Sequence, residues 1–198
     1  MLNEGVISLY TILKERMMKL GYEFYFQDYK LNIIGIRSSS DTINEFNDTL
    51  YCAYLADHKL YCQQWKITTD PGLYWLNNPL RVEGTAILCP GQYVDVYSID
   101  LHNGKYKALC QRNGPVRVFR DADKDDILDM DTKTIQKGYF GINIHRAKAH
   151  WFSLKIGKFS AGCQVFAGYR DFMEFMELAE IHRKLHGNKF TYTLLEEM

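Results

Sequence analysis

The sequence predicts an α+β, β-rich fold. Turn signals recur about every eight to twelve residues between residues 22 and 118, which is the spacing of short strands in a sheet. The chain carries 14 Tyr and 11 Phe, and aromatic rings pack well on pleated surfaces. Two segments of helical period flank this region, one near the N-terminus and one after residue 170. A length of 198 residues holds one sizeable core and leaves no room for a second full domain.

Residues 5–20 place Val6, Leu9, Tyr10, Leu13, Met17 and Leu20 on one helical face, and Gly21 closes the helix. Residues 1–21 are therefore an N-terminal helix that packs on, or leads into, a single domain spanning 22–198. Tyr22 to Phe26 and Leu31 to Ile36 are expected strands. Thr49 to Ala56 and Leu60 to Thr68 flank Asp57-His58 and predict a hairpin. Thr69-Asp70-Pro71-Gly72 is a turn, with Pro presetting φ and Gly supplying positive φ. Further strands are expected at Gly84 to Leu88, Tyr93 to Ile99, Tyr106 to Gln111 and Val116 to Phe119, separated by Pro90-Gly91, Asn103-Gly104 and Gly114-Pro115.

The acidic stretch 121–131 places Asp121, Asp123 and Asp125 at alternate positions, as in a calcium loop. Its sixth position is Asp126 rather than Gly and its twelfth is Thr132 rather than Glu, so a solvated loop is the better reading. Gly138 to Ile144 reads as a strand ending in His145. Residues 171–186 form a second helix, with Asp171 favouring its N-terminal dipole and Gly187 ending it. Phe190 to Leu195 is the last strand.

Lys plus Arg and Asp plus Glu number 24 each, so net charge gives no reason to expect nucleic acid or an anionic membrane as partner. No apolar run is long enough to span a bilayer. The first residues, MLNEGVISLY, lack a basic n-region followed by an apolar run, so no secretory signal is expected. The five cysteines include no CxxC pair, which argues against a zinc ribbon or a thioredoxin-like site. Cys52, Cys62, Cys89 and Cys110 sit among apolar neighbours and read as small buried hydrophobes. His182 and His186 have metal-ligand spacing without a third ligand, and His near a helix C-terminus is favoured by the dipole in any case. His150 lies beside Trp151, and stacking is as good a reading as chemistry. No metal or cofactor is called for.

The chemistry concentrates in GINIHRAKAHWFSLKIGKFSAGCQVF, residues 141–166. An acyl-transfer thiol needs a base, donors for the oxyanion, and exposure at a cleft. Cys163 follows Ser160-Ala161-Gly162, where Gly162 permits unusual dihedrals and close backbone approach. The N–H groups around Gly162 and Cys163 are then candidate oxyanion donors, and His145 is the candidate base.

His145, a spacer of fourteen residues, then Ser160-x-Gly162-Cys163 resembles the signature of L,D-transpeptidase catalytic domains of the YkuD type. The resemblance covers residues 138–166 and includes the small residue Gly157 before the Ser motif. It implies a mixed β-sheet sandwich with an N-terminal helix and a helix after the Cys motif. It implies a nucleophile at Cys163, a base at His145, a site-shaping hydroxyl at Ser160 and oxyanion donors at Gly162 and Cys163. The expected partner is a peptidoglycan stem peptide, attacked at a carbonyl to give a thioester that passes to an amine or to water. A backbone carbonyl is the expected third member of the triad. Asn143, two residues from His145, shares its face if that segment is a strand.

Three positions depart from the family pattern. Arg146 stands where Gly usually follows the His, Ala161 replaces a second His, and Gln164-Val165 replaces the Arg or Asn after the Cys. Arg146, Gln164 and Tyr139 are the candidate substrate-binding residues. Arg146 suits a substrate carboxylate by its fork, and a structural ion pair is the equal alternative. A non-enzymatic wall-binding or virion-associated protein that keeps the fold is the rival reading. A catalytic Cys163 is expected to ionise below the ordinary thiol value of about 8.5. Without a secretory signal, action on a cell wall implies release by another route, such as phage lysis.

Overall fold

The computed structural model describes residues 4–40 and 42–197. It is an α+β, strand-rich protein. Helix α1 spans Glu4–Lys19, followed by β1 (Asn32–Arg37), β2 (Asp48–Ala56), β3 (Lys59–Thr68) and the short α2 (Leu73–Asn77). Next come β4 (Thr85–Leu88), β5 (Gly91–His102), β6 (Tyr106–Gln111) and β7 (Val116–Asp121). The chain ends with β8 (Gln136–Gly138), β9 (Ile144–Arg146), β10 (Gln164–Phe166), α3 (Tyr169–His186) and β11 (Phe190–Glu196).

Eight strands close on themselves in the order β1-β11-β5-β6-β9-β10-β3-β2, and β4, β7 and β8 form a separate three-stranded sheet. The expected sandwich is thus replaced by a barrel. Closure comes from the parallel pairing of β1 with β11, in which Ile33 opposes Tyr192, together with the antiparallel pairing of β1 with β2. An eight-stranded barrel is narrow enough for side chains to fill. Tyr97, Tyr192, Phe166 and Phe190 are fully buried in its core. The sheet is mixed, because β9 and β10 also pair in parallel.

The hairpin at Asp57-His58 is a tight primed turn. Both residues have positive φ, 49° and 63°, which matches the twist of β2 and β3. Helix α1 buries Tyr10, Leu13 and Met17 against Phe24, Ile34, Ala53 and Leu195, whereas Leu20, beyond its end, is exposed. Helix α3 lays Phe172 and Phe175 against Phe166 at ring separations of 5.6 and 5.2 Å.

Three expectations fail for physical reasons. Tyr22 to Phe26 is not a strand, because side chains rather than a neighbouring strand satisfy its backbone. The Tyr25 N–H donates to Asn32 Oδ1 at 2.7 Å and the Glu23 N–H to Gln92 Oε1 at 2.8 Å. Gly72 has φ −77° and precedes the unforeseen α2. It is needed for space, since a Cβ there would lie 2.1 Å from the Gly157 carbonyl oxygen. Gly138 to Ile144 splits into β8, an irregular turn with Gly141 at φ +71°, and β9. In the acidic loop, the Asp125 carboxylate accepts from the Ile127 N–H at 2.7 Å, so it caps its own backbone. Among the described residues no group of three or more His, Cys, Asp or Glu is arranged to hold a metal ion.

His182 is a buried structural histidine. The Leu31 N–H donates to its Nδ1 at 3.1 Å, and Nε2 lies 3.2 Å from the Lys189 carbonyl. Burial lowers its pKa from 6.5 to about 4. Between those values the unfolded chain binds more protons than the folded one, so stability falls as pH drops from 6.5 towards 4. His182→Gln keeps a donor and an acceptor and is expected to flatten this slope by up to about 1.4 kcal/mol per pH unit. Urea melts at a series of pH values test this; an unchanged slope sinks it.

Candidate active site

The segment from Phe140 to Asn143 has no strand partner for several of its N–H groups, and one buried side chain supplies it. Gln111, at the end of β6, accepts from the N–H groups of Phe140, Gly141 and Ile142 at 3.1, 3.0 and 3.2 Å. Its Nε2 donates to the carbonyls of Gly138 and Gly114 at 2.9 and 3.0 Å. The Asn143 side chain then accepts from the Gln111 N–H at 2.9 Å. This clamp holds Gly141 and Asn143 against Cys163. The thiol donates to the Gly141 carbonyl at 3.4 Å, and the Asn143 N–H points at Sγ at 3.4 Å.

The parallel pairing of β9 and β10 brings the two ends of the motif together. His145 opposes Val165, and the Gln164 N–H donates to the Asn143 carbonyl at 2.9 Å. Cys163 and His145 line one cavity of about 490 Å³, together with His102, Asn143, Phe140 and Trp75. Hollows of similar size beside β1 and beside α3 contain no Cys or His. His145 Nδ1 lies 2.9 Å from the Arg146 carbonyl. A carbonyl only accepts, so this contact puts the proton on Nδ1 and leaves Nε2 with a lone pair. The expected backbone carbonyl is therefore that of Arg146. No hydrogen bond joins His145 to Cys163 among the described residues.

His102 stacks on His145 with ring centroids 4.0 Å apart. Its Nδ1 lies 3.1 Å from Asn143 Nδ2. The end of β5 thus supplies a second imidazole to the cavity, although Ala161 stands where the motif usually has one. No local pattern in the sequence marks His102 or Gln111.

Ser160 is fully buried; it donates to the Cys163 carbonyl at 2.8 Å and accepts from the Gly162 N–H at 3.2 Å. The Gly162 N–H is therefore spent on Ser160 and is no oxyanion donor. Gly162 serves shape: its φ is +114°, and a Cβ would lie 2.2 Å from the Ala86 carbonyl oxygen. The Cys163 N–H has no hydrogen-bond partner among the described residues and is the remaining donor.

The three candidate substrate contacts lie elsewhere. The Arg146 guanidinium sits over the Tyr106 ring at 4.0 Å and faces the hollow beside α3. Gln164 is fully buried and accepts from the Tyr192 hydroxyl at 2.8 Å. Tyr139 is 60% exposed and does not line the Cys163 cavity.

The resting pair is neutral. Burial, then the neighbouring His102, lowers His145 to about 3. Burial of the thiol raises Cys163 from 9.0 to about 11, against a partial lowering by the Asn143 N–H. This reverses the low thiol value the motif led us to expect. Alkylation of Cys163 by iodoacetamide is expected to climb through the alkaline range, towards a midpoint near 11. A rate that levels off at or below pH 8.5 sinks that expectation. Compared with known proteins, the chain matches no family model, no curated protein and no solved structure.

Proposed function

We propose that this protein is a cysteine-dependent acyltransferase or peptidase of the L,D-transpeptidase type, acting on peptidoglycan stem peptides. The observation that carries the reading is His145 with its Nδ1 against the Arg146 carbonyl, sharing a cavity with Cys163. That contact orients the imidazole and leaves the Nε2 lone pair free to accept a proton, which is the arrangement a general base needs.

The step balances as follows. Rotation about the Cys163 side chain takes Sγ from the Gly141 carbonyl towards His145. The thiol proton passes to Nε2 as sulfur forms a bond to the substrate carbonyl carbon. The oxyanion faces the Cys163 N–H. Collapse breaks the carbon–nitrogen bond, and His145 returns the proton to the leaving amine. An amine or water then attacks the thioester, and the thiol is restored. A neutral starting pair suits this concerted transfer, because neither charge has to be buried before substrate arrives.

The neutral pair also favours the second reading, a wall-binding or virion-associated protein without activity. One measurement separates the two. Intact-mass spectrometry after incubation with a carbapenem, and with a stem tetrapeptide, is expected to show one covalent adduct mapping to Cys163. Absence of any adduct at Cys163 favours the binding protein.

A further inference from the structure

Arg120, on β7, is a buried cation without a counter-charge. It is 6% exposed. Its Nε donates to Gln136 Oε1 at 2.9 Å and its Nη1 to the Gly84 carbonyl at 3.1 Å. Its Nη2 is buried and has no partner among the described residues. No carboxylate forms an ion pair with it there. Burial disfavours its charge most, the nearby guanidinium of exposed Arg81 adds to this, and Glu83 acts the other way. Both arginines flank the Phe140 ring, at 4.6 Å for Arg120 and 5.9 Å for Arg81. A guanidinium stays charged, and an uncompensated buried charge is costly. Such an arrangement gains most from a bound anion.

The space for one is present. Arg81 and Arg120 line a small cavity of about 50 Å³. Leu80, Phe140 and Ala161 line both this cavity and the one that holds Cys163. The volume fits a carboxylate, somewhat larger than a water molecule's share of about 30 Å³.

We infer that Arg120 and Arg81 form a carboxylate-binding subsite beside Cys163, which holds a carboxylate of the peptide substrate during acyl transfer. This rests on the proposed function for its placement next to the reacting carbonyl. It assigns to these residues the part the sequence suggested for Arg146. The fork of Arg120 presents Nη2 to one oxygen, and Arg81 closes on the group from the solvent side.

The test is isothermal titration of the wild-type protein with a synthetic stem tetrapeptide in three forms. One has all carboxylates free, one has the C-terminal carboxylate amidated, and one has the side-chain carboxylates amidated. One amidated form is expected to bind about tenfold more weakly or worse, which also tells which carboxylate is held. Arg81→Ala, at an exposed position that leaves the fold intact, is expected to erase that difference. Arg120→Lys, which keeps charge but loses the fork, is expected to do the same where its melt matches wild type. Equal binding of all three forms, no binding of any, or discrimination surviving Arg81→Ala overturns the inference. Acyl-enzyme formation is read in parallel. Equal thioester yield and equal binding for acid and amides sink the subsite and leave the proposed function standing. Discrimination without any thioester sinks the proposed function and leaves the subsite.

Discussion

Cys163→Ala is expected to abolish thioester formation and to lower turnover of a stem peptide by about a thousandfold or more, with the fold intact. The substitution removes one half-buried sulfur whose two hydrogen bonds, to Gly141 and Asn143 at 3.4 Å, are weak because sulfur is a poor donor and acceptor. Its effect on stability should stay within about 1 kcal/mol. His145→Ala is expected to approach the same loss of turnover, because the two groups act as a unit and their losses do not add. The double variant is then no worse than Cys163→Ala alone. Substantial turnover in Cys163→Ala, assayed on purified sacculi by release of stem-peptide fragments, would falsify the assignment of the nucleophile.

Gln111→Leu is expected to produce the largest loss of stability of any single change near the site. The amide makes five hydrogen bonds to backbone groups of the 138–142 turn and of Gly114. Leucine fills similar space and satisfies none of them. Each buried orphan costs about 1–3 kcal/mol, and relaxation and water recover part of the sum. A net loss of about 3–5 kcal/mol follows, read as a lower urea midpoint at unchanged slope. Turnover should fall further than the unfolded fraction explains, because the same turn sets the Gly141 carbonyl and the Asn143 N–H against the thiol. An unfolding free energy within about 1 kcal/mol of wild type would show that the clamp is dispensable.

Much of the fold was legible because local signals agreed with the final contacts. Leu13 and Met17 lie one turn apart on α1 and both are buried. Asp57-His58 forms the tight turn that the two flanking strand patterns called for. Barrel closure was not legible. It depends on Ile33 meeting Tyr192, and neither residue's neighbourhood announces the other. The proximity of Cys163, His145 and Ser160 was readable from spacing, since all fall within residues 145–163. The meaning of Gly162 was half readable: its freedom of φ was expected, but the destination of its N–H depended on where Ser160 points. Arg146 follows His145 directly on β9, and adjacent residues on a strand face opposite sides. Gln111, His102 and Arg120 act across long sequence distances, so only the fold sets His102 in the Cys163 cavity, Gln111 behind the 138–142 turn and Arg120 in the smaller cavity.

The pairing of β1 with β11 also sets a schedule for folding. During synthesis β1 has its antiparallel partner β2 soon after it emerges, but its other edge waits for residues 190–196. Until then the growing chain carries an open sheet with two unpaired margins, a known route to association between chains. Contacts of such long range make closure slow compared with the local hairpins. The β9–β10 ladder, which carries His145 and follows Cys163, sits in the same ring. The cavity of Cys163 and His145 is therefore set in a ring that stays open until the last strand docks.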